Sequence, residues 1–133
     1  MLKVAVVDAS PAVSGDFRAL LDVVDGVEVV GTADNVSDAV ALIESTGPDV
    51  VVLDIDLRDG ERGMTVLQFL RREHPAVRVV TLSNYGWHAM RLGFLAAGAS
   101  AYFARATERL AARDWIARAS TLAERMDAGA VAA

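Results

Sequence analysis

Apolar residues gather into five short runs along the chain, at residues 4–7, 27–30, 50–53, 77–82 and 101–103. The first four are rich in Val with little polar alternation, the pattern of strands covered on both faces in a parallel sheet. Between the runs, apolar positions recur at helical spacing. Val13, Phe17, Leu20, Leu21 and Val24 share one predicted face, and Val36, Val40 and Ile43 another. Val66, Leu67 and Leu70 repeat the pattern, and Trp115, Ala119, Leu122 and Met126 close the chain with it. Asn35 is placed to cap the second helix, with Asp38 in its first turn. Gly47-Pro48 ends that helix, Gly98 is placed to cap the fourth, and His74 before Pro75 marks the end of the third. Strand and helix therefore alternate five times. Right-handed crossovers turn that alternation into a parallel sheet with helices on both faces. The predicted fold class is α/β.

Length and charge narrow the picture further. The 133 residues suit one domain, expected over 1–126, with 127–133 as a flexible C-terminal tail and no output domain. A hydrophobic content of 53% is ample for a core, and the absence of Cys removes disulfides, thiolate nucleophiles and Cys-ligated zinc. With only His74 and His88, a His-based metal cluster is excluded. A net charge of −5 speaks against a nucleic-acid surface, and Arg109, Arg113, Arg118 and Arg125 alternate with Glu108, Asp114 and Glu124 as a solvated helix face would. No apolar run is long enough to span a bilayer and the start does not read as a signal peptide, so the expected location is the cytoplasm.

In open α/β sheets the ligand crevice lies outside the carboxyl ends of the strands, where the strand order reverses. The residues ending the runs are therefore the candidate site: Asp8 after strand 1, Asp54 after strand 3, Ser83 after strand 4 and Arg105 near the end of strand 5. Strand 2 offers Gly31 and Thr32. If the order is 2-1-3-4-5, Asp8 and Asp54 converge on one crevice. Two carboxylates, a hydroxyl and a cation suit phosphoryl chemistry: a carboxylate nucleophile, a bridging hard cation, and donors for the remaining oxygens. The structural alternative is that the acids cap helices and that Arg105 pairs with Asp54.

At these residues the chain resembles the receiver domain of response regulators, the CheY-like family of two-component signalling. The segments that carry the resemblance are Val6-Val7-Asp8-Ala9-Ser10-Pro11, Val51-Val52-Leu53-Asp54-Ile55-Asp56-Leu57, Leu82-Ser83-Asn84-Tyr85 and Gly98-Ala99-Ser100-Ala101-Tyr102-Phe103-Ala104-Arg105. The resemblance covers residues 2–126. It implies a flavodoxin-like (βα)5 three-layer sandwich with a five-stranded parallel sheet of order 2-1-3-4-5. It also implies a non-enzymatic phosphoprotein in which Asp54 accepts a phosphoryl group from a histidine kinase or phosphotransfer protein. Mg²⁺ would be held by Asp54, by Asp8 through water and by the loop at Asp56. Ser83 and Arg105 would hold the transferred group, and Ser83 with Tyr102 would form the switch. The output would be a separate protein docking on the face of helix 4, strand 5 and helix 5, where Trp87, His88 and Arg91 lie and where a homodimer would also form.

The match departs at the positions that carry the chemistry. The family's second acid is Ala9, its Lys is Arg105, the following Pro is Ala106, and the Pro of the loop after Asp54 is Arg58. Losing a carboxylate weakens affinity for a hard cation, and a planar guanidinium is not a substitute for a compact ammonium. Two readings follow: a phosphoacceptor receiver, or an atypical receiver serving as a protein-interaction module with phosphorylation at Asp54 weakened or lost. The joint departures favour the second. A remote third reading, a haloacid-dehalogenase-like phosphatase, rests on Asp54-Ile55-Asp56, which lies on the third strand where that family has it on the first. Tyr85 stands at the mouth of the site, where its ring would restrict water. Asp59 and Glu61 read as solvated charge and Trp115 as core.

Overall fold

A computed structural model describes residues 1–85 and 88–132, with side chains as far as Met126. Trp87 and Ala133 lie outside the described residues. The chain runs β1 (Leu2–Val7), α1 (Pro11–Asp22), β2 (Val27–Ala33), α2 (Val36–Thr46), β3 (Val50–Leu53), α3 (Gly63–Glu73), β4 (Arg78–Ser83), α4 (His88–Ala96), β5 (Ala101–Ala104) and α5 (Arg105–Ala132). All pairings are parallel and the sheet order is β2-β1-β3-β4-β5, as expected.

The pleat sorts the valines onto two cores. Ala5, Val7, Val51, Leu53 and Val79 face Ile43 of α2, Val66, Leu67 and Leu70 of α3, and Phe94 of α4. Val4, Val6, Val50, Val52, Val80 and Leu82 face Phe17 and Leu21 of α1 and Ala112, Ile116 and Ala119 of α5. Alternate side chains of one Val-rich strand thus enter different layers, which is why these runs lack polar alternation.

The helix ends follow from local chemistry. Ser10 caps α1, its Oγ accepting from Val13 N–H at 3.4 Å, with Pro11 at the first helical position. Asn35 caps α2 by accepting from Asp38 N–H at 2.9 Å, and Gly47 leaves it in the left-handed region at φ 59°. One expectation shifts. On α5 the buried stripe is Ala112, Ile116, Ala119 and Ser120, whereas Leu122 is 54% and Met126 68% exposed. Leu122 lies six residues past Ile116, about 240° round the helix, so both cannot face the sheet. Trp115 is half-buried at the margin of its core, with the Arg78 guanidinium 5.3 Å over its ring.

One close approach fixes the floor of the crevice. Gly63, buried at the start of α3, donates its N–H to Ile55 O at 2.7 Å, and a Cβ there would collide with the backbone carbonyl of Asp54. Because the obstacle is backbone, it cannot swing aside. Gly63→Ala is expected to destabilise the fold by about 3 kcal/mol in urea titrations, the upper range for overpacking.

Candidate functional site: a carboxylate crevice at the strand ends

The crevice forms where β1 and β3 end side by side. Asp8 follows β1 and donates its N–H to Ala33 O at 2.9 Å; Asp54 follows β3 and donates to Val7 O at 2.9 Å. These bonds extend the sheet pairing by one residue and turn both side chains to one place. Both are buried, at 5% and 8% exposure. Asp8 Oδ1 accepts from Ser10 N–H at 2.9 Å, and Asp54 Oδ1 from Ile55 N–H at 2.7 Å. Each acid thus uses one oxygen to close its own turn and leaves Oδ2 for the crevice.

Arg105, the first residue of α5, reaches in from β5. Its Nη2 donates to Asp8 Oδ2 in a close ion pair and to Leu82 O at 3.0 Å, and lies 3.8 Å from Asp54 Oδ2. The expected Arg105–Asp54 pairing is therefore the looser of two contacts, and Asp8 is the nearer partner. Burial and the charge of Asp8 push the Asp54 carboxyl up to about 6, against the opposing pull of Ile55 N–H and Arg105. Ala9 contributes no donor atom.

The hydroxyl side is equally well defined. Ser83 is fully buried, its Oγ accepting from Tyr85 N–H at 3.0 Å. Tyr102, 3% exposed, packs its ring 6.1 Å from that of Phe94 and donates its OH to Tyr85 O at 2.6 Å. Asp56 is exposed, and its Oδ2 accepts from the Tyr85 phenol at 2.6 Å. That bond to a carboxylate raises the pKa of Tyr85. Asp8, Asp54 and Arg105 come together through their ion pairs, while Ser83, Asp56 and Tyr102 each bond Tyr85.

Two features escaped the reading of the sequence. β2 runs on to Ala33, so its terminal acid is Asp34, which pairs with Arg58 Nη1 at 3.1 Å and accepts Arg58 N–H at 2.8 Å on its carbonyl. Glu61 is not simply solvated: its Oε1 accepts from Val36 N–H at 3.0 Å, a cap supplied to α2 from a distant loop. Asp59 does stand in solvent, at φ 60°. His88 and Arg91 are exposed on α4.

The family model for the response regulator receiver domain matches residues 4–113. The chain belongs to the response regulator receiver domain family. As a receiver it is 35% identical over 102 residues to the DNA-binding transcriptional activator DevR/DosR of Mycobacterium tuberculosis, spanning 77% of this chain and 46% of that protein. The chain spans about half the length of curated relatives such as this one. Among solved structures, a LuxR-family response regulator from Aurantimonas superposes with a TM-score of 0.82 at 27% identity, over 90% of this chain and 84% of that one. The signal receiver domain of the response regulator NarL from Mycobacterium tuberculosis gives 0.80 at 26% identity, over 90% and 96%. Receiver domains belong to two-component signalling, exchange with histidine kinases or phosphotransfer proteins, act on output domains and generally hold Mg²⁺ in an acidic pocket. Among the described residues of this receiver, no three Asp, Glu or His side chains gather at metal-binding spacing. No helix among them is long and apolar enough to cross a membrane.

The raised Asp54 carboxyl makes stability depend on pH. Its folded value of about 6 lies above the ordinary 3.8, so the folded state holds the extra proton and stability falls as pH rises between them. In metal-free buffer, the stability of Asp54→Asn relative to wild type should therefore increase from pH 4 to pH 7. The expected gain is about 2 kcal/mol after allowance for partial solvent screening. Urea unfolding at the two pH values checks this, and a constant difference would contradict it.

Proposed function

We propose that this receiver works as an atypical signalling module, in which phosphoryl acceptance at Asp54 is weakened or lost and a separate protein reads the surface of α4, β5 and α5. One observation carries the reading: the Arg105 guanidinium sits between Asp8 and Asp54, bonded to the first and 3.8 Å from the second. Asp8 and Asp54 are the carboxylates that would have to hold a dication here. A hard cation prefers several charged oxygens. Here Ala9 supplies none, Asp8 is committed to Arg105, and the Asp56 carboxylate is bonded to Tyr85. This donor set fits Mg²⁺ poorly. Arg keeps its charge at any accessible pH, so the internal cation is permanent.

A second reading, the phosphoacceptor receiver, is supported by what is retained. Asp54 is in place beside Arg105, and Ser83 and Tyr102, the pair that the resemblance implies as the switch, are both buried. On either reading the output partner and the cytoplasmic setting belong to the proposal. The phosphatase reading has no further support in the site geometry.

Intact mass after incubation with Mg²⁺ and acetyl phosphate separates the two. Wild type should take up at least about tenfold less phosphoryl label than Ala9→Asp/Arg105→Lys, which restores an acid and a compact cation. Asp54→Asn introduced into that double variant should abolish the label. Stoichiometric labelling of wild type, lost in Asp54→Asn alone, would establish the second reading instead.

A further inference from the structure

Tyr85 is fastened through three different atoms. Its N–H donates to Ser83 Oγ at 3.0 Å, its carbonyl accepts from Tyr102 OH at 2.6 Å, and its phenol donates to Asp56 Oδ2 at 2.6 Å. The two backbone bonds tie it to the ends of β4 and β5. The phenol's bond crosses to Asp56 in the loop after β3. That loop is braced independently: Asp56 bridges to Arg62, Arg58 is paired with Asp34, and Glu61 caps α2. Asp56 is therefore the fixed end of the bond, and Asn84-Tyr85, the described start of the loop after β4, is the end it holds.

The position of that loop decides where Tyr102 can be. A buried tyrosine hydroxyl must find a partner, and for Tyr102 the partner is the Tyr85 carbonyl. If the loop moved away, the hydroxyl would lose its acceptor and the ring would have reason to leave its place beside Phe94. We propose that Asp56 and Tyr85 form a built-in latch across the crevice mouth that holds Tyr102 buried with no phosphoryl group on Asp54. Asp56 supplies, from inside the chain, a negative charge that holds Tyr85 across the crevice mouth. The α4–β5–α5 surface is then presented in one state at all times. This rests on the reading above only in taking that surface as the one a partner reads.

The latch is tested by the rate at which tetranitromethane nitrates Tyr102, measured on digested peptides in metal-free buffer with no phosphodonor. In wild type, Tyr102 should be protected. Tyr85→Phe and Asp56→Asn, both isosteric and both checked for folding by circular dichroism, should each raise the Tyr102 rate about tenfold. Asp59→Asn, which removes a neighbouring exposed acid of the same loop, should leave it at the wild-type value. Equal rates in wild type, Tyr85→Phe and Asp56→Asn would overturn the latch, as would a rise in only one of the pair or an unprotected Tyr102 in wild type. Because no donor is present, ready phosphorylation of Asp54 would sink the earlier reading and leave this result standing.

Discussion

Two carboxylates buried side by side at the ends of adjacent strands repel each other and lose the water that would solvate them, and both costs fall on the structure unless a cation stands between them. In this chain the cation is the guanidinium of Arg105. It bonds Asp8, approaches Asp54 and also takes the Leu82 carbonyl, so one side chain ties together the ends of β1, β3, β4 and β5. The contact also sets the phase of α5: Arg105 is its first residue, and pointing it into the crevice turns Ala112, Ile116 and Ala119 onto the sheet. The same phase turns Leu122, about 100° round the helix from Arg105, away from the sheet.

Around that ion cluster the loops are held by polar bonds between segments far apart in sequence. Arg58 joins the loop after β3 to Asp34 after β2, Glu61 caps α2, and Tyr85 reaches Asp56 from the other side. The loop after β3 is therefore gripped from both flanks, while Gly63 lets α3 begin directly against the Asp54 carbonyl. A rim braced this way has few low-cost ways to open, which suits a surface that is read more than it is reset.

The strands are legible because they follow from local pattern, and their order because the resemblance to receiver domains implies it. Val-rich runs ending in Asp8, Asp54 and Ser83 name both the strands and the side chains at their carboxyl ends. What was not legible depends on pairwise geometry between distant segments. The apolar run of strand 2 stops at Val30, which leaves Gly31 and Thr32 as its terminal residues and hides Asp34, whereas the strand continues to Ala33. Glu61 looked like solvent charge because nothing in its neighbourhood reveals that the free N–H of Val36 lies beside it. Arg105 meets both carboxylates, and the expected contact with Asp54 is the longer of the two, since a sequence tells which strand end a side chain leaves from and not how it divides itself between two adjacent carboxylates. The helix 5 stripe failed for a different cause: apolar residues occur on both faces of that helix, and only contact with the sheet distinguishes them.

Charge counting connects the two departures of the pocket. Asp8 and Asp54 bring two negative charges and Arg105 one positive, leaving the buried cluster at −1. A further carboxylate at position 9 would have left −2, a deficit that a dication closes. At −1 the same dication overshoots, and it must also displace a guanidinium from a bonded, desolvated position where the freed charge would have no partner. Alanine at position 9 and arginine at position 105 are therefore not two independent losses. Each makes the other tolerable: the absent acid lowers the demand for a metal, and the fixed guanidinium meets what demand remains. On the proposed reading, the pocket drops the acid that a dissociable cation would neutralise and keeps its covalently attached one, so its charge balance no longer depends on an occupancy that varies.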